Sequence, residues 1–515
     1  MKGFFGSLFG RVQERRPETK PGPPVRREAA RQGATELYKK GDVISWNYEV
    51  HGTLGKGGFG VVILVYDREM GALCALKTFR DEFLNDAGAR EAFKKEALLW
   101  VGLEQHPFIL AAQWVVEVDG RVFVAMEYVA PNADGRVNLG DYLSPAAGPI
   151  DVDQALKWAV QFCLGMEHAL GHGIKCHRDI KPANILIAQD GGLKIGDFGL
   201  ADGAEAVWRL AGCRGGALAV GGVDGSFGLS LMQTRGKARC GTPGYMPPEV
   251  YRGDGADVRS DIYSFGLVLW QMAAGSASPP YTVPYRGDLE VYLRKIYEQQ
   301  MGGRLPRVDG LLWPFIERCL CPKPEGRYAS FRELRGALEP ILERRTGKKV
   351  EVPQVAERTS AFWVRRGGSL GALGRQEEAI GCCERALAIN PRSTSAWCIK
   401  GCALASLGRR EEAIGCYDEV LAVEPGQMAS WYNKGNALAA LGRREEAISC
   451  FDKALAITPR FAHVWNNKGA ALAALDRREE ALRCYEQALA LDPRDGKARS
   501  NMGALRKALG RGDAD

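Results

Sequence analysis

From residue 43 onward the hydrophobic positions come in short bursts. "YEVHGTL", "VVILVYD", "ALCALKTF", "AQWVVEV" and "RVFVAMEYV" are rich in β-branched and aromatic residues and are separated by Gly, Asp and charged turns, which predicts a series of strands. A helical stretch, about 87–103, interrupts them. After residue 150 the spacing lengthens to that of a helix. Ala155, Ala159, Phe162, Met166 and Ala169 fall on one face of a segment that Asp151 is placed to cap. "IYSFGLVLWQMAAG" (262–275) is apolar nearly all round yet shorter than the roughly 18 residues that span a bilayer, so it reads as a buried core helix. Up to about residue 345 the pattern predicts a small β-rich lobe followed by a larger helical one.

The last third is periodic. Laid out from Ser360 in steps of 34 residues, it gives four registers beginning at 360, 394, 428 and 462. Trp holds the fourth place (Trp363, Trp397, Trp431, Trp465) and Gly the eighth (Gly367, Gly401, Gly435, Gly469). Ala holds the twentieth (Ala379, Ala413, Ala447, Ala481), and Pro closes each unit (Pro391, Pro425, Pro459, Pro493). Each unit is predicted to make two helices and a turn, with Gly letting helix backbones approach and Pro stopping the second helix. In period and in this signature the stretch strongly resembles tetratricopeptide repeats, followed by a capping helix and tail over 496–515. Four stacked helix pairs would form a concave surface for protein or peptide partners. Asn433 and Asn436, in "WYNKGN", are candidates there for a peptide backbone or a terminal carboxylate, although such residues also belong to the common repeat pattern. Cys382, Cys416, Cys450 and Cys484 recur at place 23; a small apolar side chain suits the stacking of second helices, with metal or redox chemistry as the rival reading.

Length and composition narrow the classes. A chain of 515 residues exceeds what one core serves, so two or three domains are expected. Hydrophobic residues at 46% and charged residues at 25% are ordinary for a soluble protein, and a net charge of +7 is too small to argue for nucleic acid. No window predicts a transmembrane helix. The first ten residues, "MKGFFGSLFG", lack the length and cleavage site of a signal peptide; they read as a loose terminus, with dipping into a membrane surface as the alternative. Residues 11–42 are rich in Pro, Arg, Lys and Glu and read, with the start of the chain, as a disordered basic tether over 1–42. The 14 Cys form no compact paired framework, which suits a reducing cytoplasm.

The candidate chemistry starts at "HRDIKPANIL" (177–186), which puts Asp179, Lys181 and Asn184 on one short loop. Upstream, "LGKGGFGVV" (54–62) bridges two predicted strands, and Gly55, Gly57 and Gly60 would let the backbone fold closely over phosphates. On its own that pattern also describes a tight hairpin. "CALKTF" follows, placing Lys77 mid-strand among apolar neighbours, where an ammonium is costly to bury unless an anion holds it. Glu96, on the helix before "HPFIL", is the candidate carboxylate, with Glu91 as its rival. "LKIGDFGLA" (193–201) puts Asp197 at the end of a strand, near Asn184 across a hairpin, which makes an oxygen-rich site suited to Mg²⁺.

These motifs occur in the order of a protein kinase domain, and residues about 43–345 resemble one; "HRDIKP" is of the serine/threonine form. The resemblance implies an α+β bilobal kinase fold, ahead of the all-α repeat superhelix, with residues 346–359 as a linker. It implies ATP and Mg²⁺ as cofactors and Ser/Thr hydroxyls of proteins as acceptors. Gly55, Gly57, Gly60, Val62, Lys77, Glu96, Met126, Glu127 and Val129 would bind ATP, with Met126 at the back of the adenine pocket and the backbone of Glu127 and Val129 at the adenine edge. Asn184 and Asp197 would hold the metal, Asp179 would accept the proton of the attacking hydroxyl, and Lys181 would steady the γ-phosphate. "GTPGYMPPEV" (241–250) resembles the end of an activation segment, with Pro247 in place of a commoner Ala. Thr242 would shape the substrate site, Glu249 would pair with Arg327, and Asp261 would anchor the catalytic loop from below or cap its own helix.

The segment from Asp197 to Glu249 departs from the family pattern. Its 53 residues are about twice the usual length, and the surplus, 203–228, has eight Gly in 26 positions. Doubling a flexible loop costs only about 0.6 kcal/mol of closure entropy. Phosphorylation at Thr234, Ser230 or Ser226, drawing the segment against Arg178, is one expectation; a passive insertion is the other. A repeat-bearing scaffold with a degenerate kinase fold is the rival to an enzyme, but Lys77, Glu96, Asp179, Asn184 and Asp197 are all present.

Overall fold

The computed structural model describes residues 38–198, 231–240 and 242–509, apart from 46, 57–59, 80, 82–86, 119, 144–147, 235–236, 285–288, 303–304, 309 and 355–356. For 87–89, 92, 96, 231–234, 237–240 and 289–290 it describes the backbone alone. The described residues divide into two units, one running to residue 356 and the other starting at Glu357.

The first unit begins with the β-rich runs. β1 (Val43–Ile44), β2 (Tyr48–Lys56), β3 (Gly60–Asp67), β4 (Ala72–Phe79), β5 (Ala112–Val118) and β6 (Arg121–Glu127) form one antiparallel sheet in the order β1-β2-β3-β4-β6-β5. Between β4 and β5 lies α1 (Ala87–Gly102), whose buried Trp100 donates through Nε1 to the Leu110 carbonyl at 3.0 Å. Gly60 opens β3 where a Cβ would lie 2.6 Å from the Thr78 carbonyl oxygen of β4, so no larger residue lets the two strands come this close.

The helical lobe follows: α2 (Leu139–Tyr142), α3 (Val152–Gly171), a hairpin of β7 (Ile185–Ile187) and β8 (Leu193–Ile195), and the pair β9 (Leu231–Thr234) and β10 (Lys237–Cys240). Then come α4 (Pro248–Arg252), α5 (Val258–Ala274), α6 (Leu289–Gly302), α7 (Trp313–Cys319) and α8 (Phe331–Thr346). Asp151 caps α3, accepting from the amides of Asp153 and Gln154 at 3.1 Å each. α5 carries the apolar run that starts at Ile262 and ends at the helix's C-cap, Gly275, and its nearly unbroken hydrophobicity has a plain cause: every residue from Ser260 to Met272 is buried. The Phe162 ring stacks on Phe265 with centroids 4.0 Å apart, and Phe331 meets Phe162 edge-on at 5.7 Å, which fastens α3, α5 and α8 together. Each ring contributes about 1.5–3 kcal/mol by burial. Among the described residues no helix is long and apolar enough to cross a membrane.

The second unit is a run of antiparallel helices: α9 (Ser360–Ala372), α10 (Gln376–Ile389), α11 (Thr394–Ser406), α12 (Arg410–Val423), α13 (Met428–Ala440), α14 (Arg444–Ile457), α15 (Ala462–Ala473), α16 (Arg478–Leu491) and α17 (Gly496–Ala508). The repeated residues have repeated jobs. Trp397, Trp431 and Trp465 each donate from Nε1 to the carbonyl of the Pro that closed the preceding unit, Pro391, Pro425 and Pro459, at 2.9–3.0 Å. Trp363 has no unit before it and instead lies under the Arg385 guanidinium at 4.8 Å. The Gly at place eight serves the backbone approach expected from the sequence, since a Cβ on Gly367 or Gly469 would lie 3.2 Å from the carbonyl oxygen of Ala379 or Ala481, and it serves side-chain packing as well. A Cβ on Gly401, Gly435 or Gly469 would lie 2.6–2.8 Å from the ring of Tyr417, Phe451 or Tyr485. The place-23 cysteines are buried among these helices, and burial pushes each thiol up, Cys416 to about 11. They are inert packing groups.

Candidate active site

The loop "HRDIKPAN" folds into a closed hydrogen-bonded ring. Asp179 is buried; Lys181 Nζ reaches its Oδ2 at 2.8 Å, and the Thr242 hydroxyl donates to its Oδ1 at 2.7 Å. Lys181 Nζ also donates to Thr242 Oγ1 at 2.8 Å. Asn184 Nδ2 donates to the Asp179 carbonyl at 2.8 Å and to its Oδ2 at 3.0 Å, which turns the Asn184 amide oxygen away from the ring.

Two devices hold this loop in place. Asp261 on α5 accepts the amides of His177 at 2.6 Å and Arg178 at 2.9 Å. Burial raises the Asp261 carboxyl above its usual value, and those two amides with the His177 and Arg178 side chains work against the rise. The helix cap offered as an alternative for Asp261 belongs to Asp257, which accepts the Arg259 amide at 2.7 Å. The second device is His177, whose Nε2 bonds the Gly196 carbonyl at 3.0 Å and whose ring packs on Phe198 at 4.7 Å. His177 was not singled out in the sequence, although it opens the motif. Arg178 and Asp197 both adopt left-handed backbone, with φ of 68° and 61°, which is costly for non-glycine residues and here is imposed by these bonds.

Asp197 lies two residues beyond the end of β8 rather than at its last position. Its carboxylate pairs with Lys77 of β4, residues 120 positions apart. Burial works to raise the Asp197 carboxyl, but the Lys77 charge and hydrogen bond, with Lys181 and His177, outweigh it and hold the group below its usual value. Lys77 also sits 5.7 Å from the Trp100 ring, and it pairs across the sheet with Val62. Glu96 lies on α1, but its side chain is outside the described residues; Glu91 is exposed on the same helix. Gly55 pairs with Val62 across the hairpin, while Gly57 falls outside the described residues.

Met126 is buried on β6 beside Ala75 of β4. Glu127 donates its amide to the Ala111 carbonyl at 2.9 Å, and its carboxylate takes Lys194 of β8 at 2.9 Å. Val129 makes no backbone hydrogen bond among the described residues. The Lys194 contact was missed in sequence; its signal is a lysine alternating with buried Leu193 and Ile195. Farther out, Glu249 and Arg327 form a buried bidentate pair at 2.8 and 2.9 Å, with Ser260 Oγ also on Glu249 at 2.7 Å. Thr234 ends β9, whose side chains are not described, and Ser226, Ser230 and the insertion 203–228 lie outside the described residues.

Comparison with known proteins identifies the domains. A model of the protein kinase domain matches residues 48–336, and tetratricopeptide repeat models match 360–393, 400–460 and 462–495. A serine/threonine-protein kinase PknB of Mycobacterium tuberculosis is 32% identical over 330 residues, covering 62% of this chain and 46% of the relative. A probable serine/threonine-protein kinase PknB of Lactococcus lactis is 28% identical over 317 residues, covering 60% and 44%. The chain thus spans about half the length of the curated relatives it matches. Among solved structures, the PknI kinase domain of Mycobacterium tuberculosis aligns at 22% identity and a TM-score of 0.40, over 59% of this chain and 99% of that one. The domain match covers more than half of the sequence, and the chain belongs to the protein kinase family, with tetratricopeptide repeats following its kinase domain.

Proposed function

We propose that this chain is an ATP-dependent protein serine/threonine kinase, transferring the γ-phosphate of ATP to Ser or Thr hydroxyls of protein substrates. The observation that carries the reading is the Asp179 ring. Thr242 brings a hydroxyl to Asp179 Oδ1 at 2.7 Å with Lys181 on the other oxygen, and this is the arrangement a hydroxyl needs to lose its proton to a carboxylate beside a cation. Phosphoryl transfer asks mainly for positioning and charge neutralisation, and the other residues supply these.

Lys77 is the cation for the α- and β-phosphates, held on a rigid strand and supported in this reading by Glu96. The β2–β3 hairpin with Gly55, Gly57 and Gly60 covers the phosphates, and Val62, Met126 and the backbone of Glu127 and Val129 line the adenine site. Val129 has both backbone groups free for an adenine edge among the described residues. Asn184 Oδ1 and the Asp197 carboxylate are hard oxygen donors, the latter kept ionised by Lys77, and they suit Mg²⁺. Two protein oxygens fall short of a cage, which fits an ion completed by phosphate oxygens and water. Mg²⁺ when bound would neutralise charge on the phosphates. Asp179 takes the proton of the acceptor hydroxyl, and Lys181 turns from Asp179 towards the γ-phosphate. Glu249 and Arg327 keep the end of the segment bearing Thr242 in register. Phosphorylation of Thr234, Ser230 or Ser226 against Arg178 belongs to the same reading. The repeats imply protein interactions, and the concave face lined by Asn433 and Asn436 is the proposed peptide-docking surface.

Incubation of the full chain with γ-labelled ATP, Mg²⁺ and a protein acceptor tests this. Asp179→Asn should lower transfer by about 10²–10⁴-fold while circular dichroism is unchanged. Equal labelling by the two proteins would remove the enzymatic reading and leave the scaffold.

A further inference from the structure

The four repeats are near copies, so a residue cluster present in one alone is set apart from what repeat packing requires. In the second repeat, Cys398 and Cys402 lie four positions apart on α11 and therefore on one helix face. The residues at the place of Cys402 in the other repeats are Gly368, Asn436 and Ala470. Three donors converge on the Cys402 sulfur: the Tyr417 hydroxyl at 3.6 Å, Asn433 Nδ2 at 3.5 Å, and the Cys398 thiol. The three come from three helices, α11, α12 and α13, and Gly401 makes room for the Tyr417 ring, which is fully buried. Tyr417 stays a donor because burial drives its hydroxyl well above its usual value.

Cys402 also faces the concave side of the repeats. Cys402 is half-buried, whereas every other described cysteine of the repeats is buried. It lines a concave cavity of about 1110 Å³ together with Tyr417, Tyr432, Asn433 and Arg410. The Cys398 hydrogen bond lowers the Cys402 thiol below its usual value; burial opposes this and the Tyr417 hydroxyl adds to it. Low thiol pKa, donors at the sulfur and an open side are the conditions for nucleophilic cysteine chemistry.

We propose that Cys402 is a reactive thiol on the concave wall of the repeats, a modification site for hydroperoxides, with Tyr417 and Asn433 donating to its sulfur. In the reaction the thiolate attacks the terminal peroxide oxygen. An S–O bond forms and the O–O bond breaks; sulfur gives up two electrons, and the leaving hydroxide or alkoxide takes a proton from water. The product is a sulfenic acid, reversed by thiols, at a wall where Tyr417 and Asn433 remain to bind its oxygen. This site is independent of the phosphotransfer reading.

The test uses the reduced full chain under native conditions. Iodoacetamide below one equivalent, with the labelled sites assigned by peptide mass spectrometry, should alkylate Cys402 at least tenfold faster than Cys398, Cys416, Cys450 or Cys484. The rate should level off at a pH below that of an unperturbed thiol, about 8.5. Tyr417→Phe, which keeps the ring against Gly401, and Cys398→Ala should each move that midpoint upward. Hydrogen peroxide followed by dimedone should place the sulfenic-acid adduct on Cys402. Labelling no faster than at Cys416 and Cys450, an identical midpoint in both variants, or a dimedone adduct absent from Cys402 would each overturn the proposal.

Discussion

The two units handle polar side chains in opposite ways. In the kinase unit the polar groups around the candidate site are joined across long stretches of sequence: buried Asp261 holds the His177 amide 84 positions away, buried Glu249 and Arg327 are 78 apart, and the partly exposed pair of Lys77 and Asp197 is 120 apart. In the repeats most charged pairs are exposed and local, as with Arg443 and Glu446 three residues apart or Lys400 and Glu384 between neighbouring helices. In the first unit, then, the proposed function rests on a constellation that only the whole fold assembles. In the second, where each unit satisfies the same packing demands, the chemistry proposed for Cys402 arises at a departure from the repeat.

That contrast can be broken by substitution. The largest effect is expected at Arg327→Ala, which leaves Glu249 buried and unpaired; a loss of about 3–5 kcal/mol should appear in urea unfolding, along with loss of phosphotransfer. Gly435→Ala sets a methyl 2.6 Å from Phe451 and should cost about 1–3 kcal/mol by overpacking, less whatever helix propensity returns, seen as earlier loss of helical circular dichroism. Lys194→Met, which breaks the tie to Glu127, should shift the midpoint by no more than about 1 kcal/mol. Acid titration is a smaller probe. The fold holds Asp197 below its usual value of 3.8, so the contribution of the Lys77 pair is present above that pH and is lost as pH falls through the folded-state value. Asp197→Asn should therefore flatten the fall in stability below pH 4. Arg443→Ala, at an exposed pair, should leave the urea midpoint where it is.

The sequence made the strands, the long helices and the repeat register legible because each carries its own periodicity. "VVILVYD" alternates, α3 repeats at helical spacing behind Asp151, and Trp recurs every 34 residues. The α+β kinase fold followed from motif order. Partners across space were less legible. Lys77 announced that it needed an anion, but not that Asp197 would sit against it; Asp261 looked equally like a cap until Asp257 took that place. His177 and Lys194 escaped notice because their bonds depend on how β8 and the residues after it lie beside loop 177–184 and β6, which no local pattern encodes. The Gly at place eight announces close backbone approach, which Gly367 and Gly469 show, but not the aromatic ring 16 residues later that lies against Gly401, Gly435 and Gly469.

The account rests on Lys77, Asn184 and Asp197 meeting one nucleotide–metal complex. Titrating ATP into the full chain by calorimetry, with and without Mg²⁺, for wild type and Asp197→Asn, tests this most directly. The account predicts that Mg²⁺ tightens wild-type binding by about tenfold or more, near 1.4 kcal/mol, and that the substitution abolishes this gain. Equal affinity with and without Mg²⁺ in the wild type, or a gain that Asp197→Asn retains, would contradict it.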